Sequence, residues 1–526
     1  MKKLRRFEMK EVTVKADGYG NFGLETKEIV INENPFLHMM FKGLNLNIDD
    51  VERTDWMVKV QFNNKEEALK LKDAPLILGE SRYYYYLSSP SDMKNLKALY
   101  VREDVVGIVK QYESIVSCGW LDSLEGTTGV NVNKDVTARL SLFLSSSYHT
   151  NIKPNYLVLP EVEYKTIQNI KTFENGQLVV KEGYEHSSVF ADGCGIASPA
   201  LMRRVSKELQ LGYEPCFIGV RSIKLALKGL LVSIDFIEYF KNTYKGDTDT
   251  LKLVGDTFYA KDVWGNWIKV DENTIIVNPS MCKWASKITL EEYEDKRPEA
   301  LKDIMDALFI TKTSKKEPTE YKRTSYQLLC QLGLNAQDYN ELTKETYERL
   351  SGVLKGDKNY IYHFLGAIDS DDAEEVEIAD RLSLLLQADF DRFYKLPWVK
   401  RTLANMVERS VKELCSGKFW VKGDFKTIVN APLGILNFVM NRTDEKVQAI
   451  NDTLQANQFW CNTQDKQVLA CRFPIASFSE VGAMNFVEDD LYSKYMSHWT
   501  KELCVFNAKD IRAQILSGAD KLSLSA

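Results

Sequence analysis

The chain has 526 residues and a formal net charge of −6, with 44% hydrophobic and 27% charged residues. That length exceeds one ordinary core and predicts roughly three or four lobes, and the composition excludes a disordered, collagenous or fibrous protein. The mildly acidic balance neither requires nor excludes a nucleic-acid partner, because a local basic face is enough to hold phosphate. The cysteines (Cys118, Cys194, Cys216, Cys282, Cys330, Cys415, Cys461, Cys471 and Cys504) form no CxxC pair. Such scatter predicts reduced, buried thiols of a cytoplasmic protein and speaks against a zinc ribbon. The basic start Met1-Lys2-Lys3-Leu4-Arg5-Arg6 is followed by no long apolar core, so neither a signal peptide nor a membrane partner is expected.

In chain order, residues 1–185 mix short β-type runs (Met57 to Val60, Leu157 to Leu159) with helical stretches such as Ala98 to Ser117, and predict an N-terminal α/β lobe. Residues 186–288 are dominated by strand signals: Cys216 to Val220, Gly229 to Ile234, Trp267 to Val270 and Thr274 to Val277. Short strands separated by turns suit a barrel. Residues 289–417 change to long helix-period patterns and predict a helical connector. From 418 to 526 the β signals return, in Phe419 to Val421, Thr427 to Val429 and Gln467 to Phe473. The predicted class is α+β, with two β-barrels joined by helices.

Chemistry-bearing residues recur at four places. The first is Asp192-Gly193-Cys194-Gly195, where glycines permit close passage beneath a neighbouring strand. The second runs from Pro215 through Arg221, Lys224 and Lys228 to Gly229; cations on a rigid strand hold phosphate, Arg as a fork and Lys as a point charge. The third is Asn278-Pro279-Ser280-Met281-Cys282-Lys283-Trp284, and the fourth Cys471-Arg472-Phe473-Pro474 with Glu480. Arg139 to Ser147 forms a weaker, earlier stretch.

In this order the four places resemble the RNA polymerases built on two double-psi β-barrels, a family that includes eukaryotic-type RNA-dependent RNA polymerases and single-chain phage DNA-directed enzymes. The resemblance covers about Arg139 to Asp520. It implies a barrel signature at Asp192, Gly193, Gly195 and Gly229, catalytic roles for Lys228, Lys283 and Arg472, and phosphate contacts from Arg221 and Lys224. Partners would be NTPs, a nucleic-acid template and the RNA product. The Lys, Asn and Ile richness suggests a low-GC bacterium or its phage, which tilts this reading towards a DNA template in the host cytoplasm, with RNA copying as the alternative. A non-catalytic nucleic-acid binder derived from the same fold is a second alternative.

Polymerases of this family hold Mg2+ on an Asp-x-Asp-Gly-Asp loop, because nucleotidyl transfer needs hard oxygen ligands converging on the metal. Here the lead-in Ala513-Gln514-Ile515-Leu516-Ser517-Gly518-Ala519 reaches Asp520, and Lys521 to Ala526 follow without the further aspartates. The resemblance therefore implies the N-terminal part of a polymerase, inactive alone, with magnesium bound only in a site completed by a second polypeptide or a spliced C-terminal part. Asp389-Phe390-Asp391 mimics the motif, but Arg392 and Phe393 replace its Gly and Asp, and a helix face is expected there. The acidic cluster Asp369, Asp371, Asp372, Glu374 and Glu375 predicts a helix N-terminus. His38, His149, His186, His363 and His498 lack metal-hydrolase spacing, and no Walker or GxSxG motif occurs.

Overall fold

The computed structural model describes residues 2–16, 22–72, 74–124, 131–316, 321–366, 373–442, 453–475, 477–496, 500–510, 512–516 and 524–525. Its N-terminal lobe is a six-stranded sheet in the order Phe22–Asn32, Arg6–Ala16, Arg53–Gln61, Lys97–Arg102, Ser81–Leu87, Leu76–Leu78. Helix Pro35–Gly43 packs on one face; Pro35 opens it, and the Asn34 side chain caps it by accepting from the Leu37 N–H at 2.9 Å. Phe36 meets Tyr112 of helix Val106–Val116 edge-on, ring centres 5.2 Å apart.

The helix expected over Ala98 to Ser117 begins only at Val106, after a short 3₁₀ turn, and Lys97–Arg102 is a strand. Ala98 and Tyr100 enter one core while Leu99 and Val101 enter another. A strand buried on both faces reads as an unbroken apolar run, which periodicity cannot tell from a buried helix.

Two further β-systems share one wiring. The first is a seven-stranded sheet in the order Tyr148–His149, Phe309–Thr313, Phe217–Ser222, Leu227–Ser233, Cys194–Ala197, Thr274–Val277, Asn155–Val158. The second is a closed barrel in the order Phe425–Asn430, Leu503–Phe506, Gln458–Trp460, Val481–Phe486, Gln467–Cys471, Leu524–Ser525. Cys194–Ala197 runs parallel to Leu227–Ser233 and antiparallel to Thr274–Val277. Gln458–Trp460 relates in the same way to Val481–Phe486 and Leu503–Phe506. Phe217–Ser222 is antiparallel to Leu227–Ser233 and Phe309–Thr313, as Gln467–Cys471 is to Val481–Phe486 and Leu524–Ser525. Finally, Thr274–Val277 is parallel to Asn155–Val158, as Leu503–Phe506 is to Phe425–Asn430. This repeated interleaving is a pair of double-psi β-barrel sheets, the first curled and open, the second closed.

The strands of the first sheet come from a wider stretch than residues 186–288, since Phe309–Thr313 lies within sequence that reads as helical connector. Beyond it, helices Ala336–Lys355, Lys358–Gly366, Ala373–Ala388 and Pro397–Cys415 build the connector around Leu350, Val353, Ile361, Leu382, Leu386, Val399 and Leu403. Asp389 caps the short helix Phe390–Phe393, accepting from the Arg392 N–H at 3.1 Å, and Asp391 is exposed on it, so the motif mimic is a helix start. Asp369, Asp371 and Asp372 lie outside the described residues.

A single core joins the two barrels. Leu157, Ile196, Phe217, Leu230 and Val232 of the first sheet share it with Val429, Trp460, Leu503 and Val505 of the second and with helix Pro432–Met440. All nine cysteines are free thiols, seven of them buried. Among the described residues no helix is long and apolar enough to cross a membrane.

Candidate functional site

Three of the sequence landmarks meet at one crossing in the first barrel. The Asp192-Gly193 turn, with Ala191 at φ 55° and Gly193 at φ 70°, passes against Leu227–Ser233, and the Leu230 N–H donates to the Gly193 carbonyl at 2.9 Å. A Cβ on Gly229 would lie 2.8 Å from that carbonyl and 2.5 Å from Met281 Cε. One on Gly195 would lie 2.5 Å from the Ile276 carbonyl. Both glycines are thus required by close backbone passage, whereas Gly193 is required by its conformation.

The third landmark clasps this crossing. Asn278 donates from Nδ2 to the Ala191 carbonyl at 2.9 Å, and its Oδ1 accepts from Ser280 Oγ at 2.8 Å and from the Met281 N–H at 3.1 Å. Ser280 Oγ in turn accepts from the Gly193 N–H at 3.2 Å. The Lys228 N–H donates to the Met281 carbonyl at 2.9 Å, which brings the segment carrying Lys283 alongside Lys228. Lys228 and Lys283 are both half-buried.

Arg221 stands directly opposite Lys228 in the antiparallel register of Phe217–Ser222 with Leu227–Ser233. Alternation puts Arg221 on the face of Phe217, and Lys228 on the face of Leu230 and Val232, the face whose core is shared with the second barrel. Arg221 donates from Nη1 to the Val220 carbonyl at 2.8 Å, and its Nε is buried without a hydrogen-bond partner. Burial alone pushes its pKa down to about 10; among the described residues no carboxylate ion-pairs with it. Like charges placed opposite on neighbouring strands repel, so the arrangement is suited to an anion lying across them.

Glu161 belongs to the same place and no motif pointed to it. Burial raises its pKa, the Asp192 charge adds to that, and hydrogen bonds from Ser280 together with the Lys283 charge oppose it. Asp192 itself is exposed at the turn. Only the apolar-flanked acid in Leu159-Pro160-Glu161-Val162 could have drawn attention, and that pattern is too common to single out.

Two predicted residues lie elsewhere. Lys224 is buried at 5% exposure, its Nζ 3.2 Å from Glu294 Oε1 and 4.9 Å from the centre of the Tyr156 ring. The resemblance implies a phosphate contact for this residue; here its ammonium pairs with the exposed Glu294 carboxylate and lies over the Tyr156 ring. The cause is the turn after it, where Leu225 and Ala226 adopt φ 54° and 50° and redirect the chain. Arg472 follows Gln467–Cys471, the strand corresponding to Phe217–Ser222, and so sits on the second barrel near the end equivalent to that of Arg221. Arg139 pairs with Asp135 at 3.0 Å, and the Asp135 carbonyl accepts from the Trp284 ring N–H at 3.5 Å. Asp520 lies outside the described residues, and among those described no group of three His, Cys, Asp or Glu side chains is placed to hold a metal ion. The described residues therefore do not form the magnesium site that the resemblance implied.

Two double-psi sheets around one core, with a glycine crossing beside a cation pair, define the two-barrel RNA polymerase class of fold. The chain belongs to the RNA-dependent RNA polymerase family, whose profile, described as "RNA dependent RNA polymerase", matches residues 32–520. Among solved structures it is similar to the RNA dependent RNA polymerase QDE-1 from Thielavia terrestris, with a TM-score of 0.63 and 14% identity. That match covers 100% of this chain and 53% of the other, so the chain spans about half its length. No curated protein sequence matches it.

Proposed function

We propose that this chain carries the nucleotide-holding side of an RNA polymerase that copies an RNA template. The observation that carries the reading is the pairing of half-buried Arg221, which among the described residues has no carboxylate partner, with Lys228 beside the Gly193–Gly229 crossing. In such low-dielectric surroundings a triphosphate gains more from a guanidinium fork and an ammonium than it does in water. Lys283, clasped alongside, supplies a third cation, and Arg472 on the second barrel faces the nucleotide or RNA terminus. The family match supports RNA as template over the DNA template that composition suggested.

The test is photo-crosslinking of an azido-NTP to the chain, competed by unlabelled NTP. Labelling is expected within the peptides carrying Arg221, Lys228 or Lys283, and to fall about tenfold or more in Arg221→Ala and Lys228→Ala. Labelling that ignores both substitutions would sink the reading. RNA and DNA templates offered in competition are expected to favour RNA, and a preference for DNA would reinstate the transcriptional reading.

A further inference from the structure

A three-stranded antiparallel sheet, Leu251–Val254, Thr257–Lys261 and Trp267–Val270, is inserted between helix Phe236–Thr243 and strand Thr274–Val277. Its register sets Lys252 opposite Tyr259, Tyr259 opposite Lys269, and Lys261 opposite Trp267. Because successive side chains alternate, these five residues share one face. Leu251, Phe258, Ala260 and Val270 take the other face and are buried in the core common to both barrels.

The outer face thus carries three lysines and two aromatic rings, and Val254 and Thr257 complete it without a carboxylate. Lys252 Nζ lies 4.2 Å from the centre of the Trp267 ring and 5.9 Å from that of Tyr259, and Lys261 Nζ lies 5.4 Å from Trp267. Trp267 remains 36% exposed. Two acids border the face: Asp271 meets Lys269 at 3.6 Å from just beyond the strand, and Asp247, which accepts from the Leu253 N–H at 3.0 Å, feels the charge of Lys252. A large ring among lysines is an unusual use of a solvent face, and on a chain of net charge −6 it concentrates positive charge where two π-faces are offered.

This sheet also bridges the barrels. Thr250 Oγ1 donates to the Val439 carbonyl at 3.0 Å and Thr248 Oγ1 to the Met440 carbonyl at 2.6 Å, both at the end of helix Pro432–Met440. The Arg442 guanidinium donates to the carbonyls of Lys261 and Asp262. A strand held on the outer face therefore bears on a rigid support built by both barrels.

We propose that this face is a stacking platform for single-stranded RNA, with bases over Trp267 and Tyr259 and phosphates met by Lys252, Lys261 and Lys269. The choice of RNA rests on the polymerase reading above. Aromatic rings stack on any base, and lysines track a backbone without reading sequence, so binding is sequence-tolerant and salt-dependent. When a base covers Trp267, the two ammonium groups now over the ring turn to the flanking phosphates.

The experiment uses the full chain and a 4-thiouridine-substituted oligoribonucleotide. Cross-links are expected on peptides carrying Tyr259 or Trp267. In equilibrium titrations Trp267→Ala is expected to weaken binding about tenfold with its salt slope unchanged. The triple variant Lys252→Gln, Lys261→Gln, Lys269→Gln is expected to reduce the slope of log K against log salt by about 2. Cross-links confined to other peptides, or unchanged affinity and slope in both variants, overturn the proposal. If azido-NTP labelling at Arg221 and Lys228 persists while the platform variants have no effect, the platform alone fails; if NTP labelling is absent too, the polymerase reading fails with it. Should Trp267→Ala unfold the sheet, as circular dichroism would reveal, the lysine variant, which touches only outward side chains, decides.

Discussion

Arg221 and Lys228 face each other across neighbouring antiparallel strands, and the half-buried guanidinium has its Nε shut off from water with no carboxylate among the described residues to neutralise it. In a protein interior such a pair is a cost that an arriving anion removes. Arg221→Met is therefore expected to raise the stability of the ligand-free chain by roughly 1–3 kcal/mol while abolishing the upward melting shift that NTP gives the wild type. Thermal unfolding with and without NTP checks both. A variant that melts lower than wild type without ligand would assign Arg221 a structural role.

The glycines of the crossing separate two kinds of constraint. Gly195→Ala drives a Cβ to 2.5 Å from the Ile276 carbonyl, a backbone atom that cannot swing aside, and is expected to cost about 3 kcal/mol or more. Gly193→Ala meets nothing within 4 Å and suffers only its φ of +70°, so about 1 kcal/mol is expected. Denaturant unfolding of the two variants should rank them in that order.

Burial in the N-terminal lobe raises the Glu113 carboxyl to about 7, with the Asp122 charge adding to the effect and Lys110 opposing it. The folded value lies above the unfolded one, so the folded chain binds the proton more tightly between pH 4.5 and 7, and stability is lost as pH rises through that window. Glu113→Gln is expected to stabilise by up to about 3 kcal/mol at pH 8 and to make little difference at pH 4. Melting curves across that range decide it.

His149 behaves in the opposite sense. Burial first, and then the neighbouring His38 ring stacked 4.5 Å away, push it down to about 4. The unfolded chain therefore takes up a proton that the folded chain refuses, and stability falls as pH drops from 6.5 towards 4. The loss should be on the order of 2 kcal/mol by pH 5. His149→Phe, which keeps a ring beside Phe309, is expected to flatten this acid limb; an unchanged limb would place the sensitivity elsewhere.

The crossing was legible because its demands fall on residues with few substitutes. Gly195 and Gly229 announce places without room for a Cβ, Gly193 a left-handed turn, and Asn278 to Lys283 form an uncommon run. The burial of Lys224 was not legible because nothing in Lys224-Leu225-Ala226-Leu227 signals two consecutive left-handed, non-glycine residues. Phe309–Thr313 was hidden inside a helical stretch because a short apolar run has no period of its own. Glu161 was missed since a single acid becomes meaningful only when folding sets it beside Asp192, Ser280 and Lys283. The two-barrel order survived because strand-rich and helix-rich compositions differ over a hundred residues, a scale at which local errors average out.

The common core has a mechanical consequence. Val232 and Val505, from different barrels, belong to one apolar mass, so prising the barrels apart would expose it to water and cost far more than thermal energy supplies. The pair is a fixed anvil, and one face of the N-terminal sheet, through Leu99 and Val101, shares a core with Ile218 and Leu231 of the first barrel: any opening and closing needed to admit a strand and let it go must fall first to the helical connector, whose core is separate.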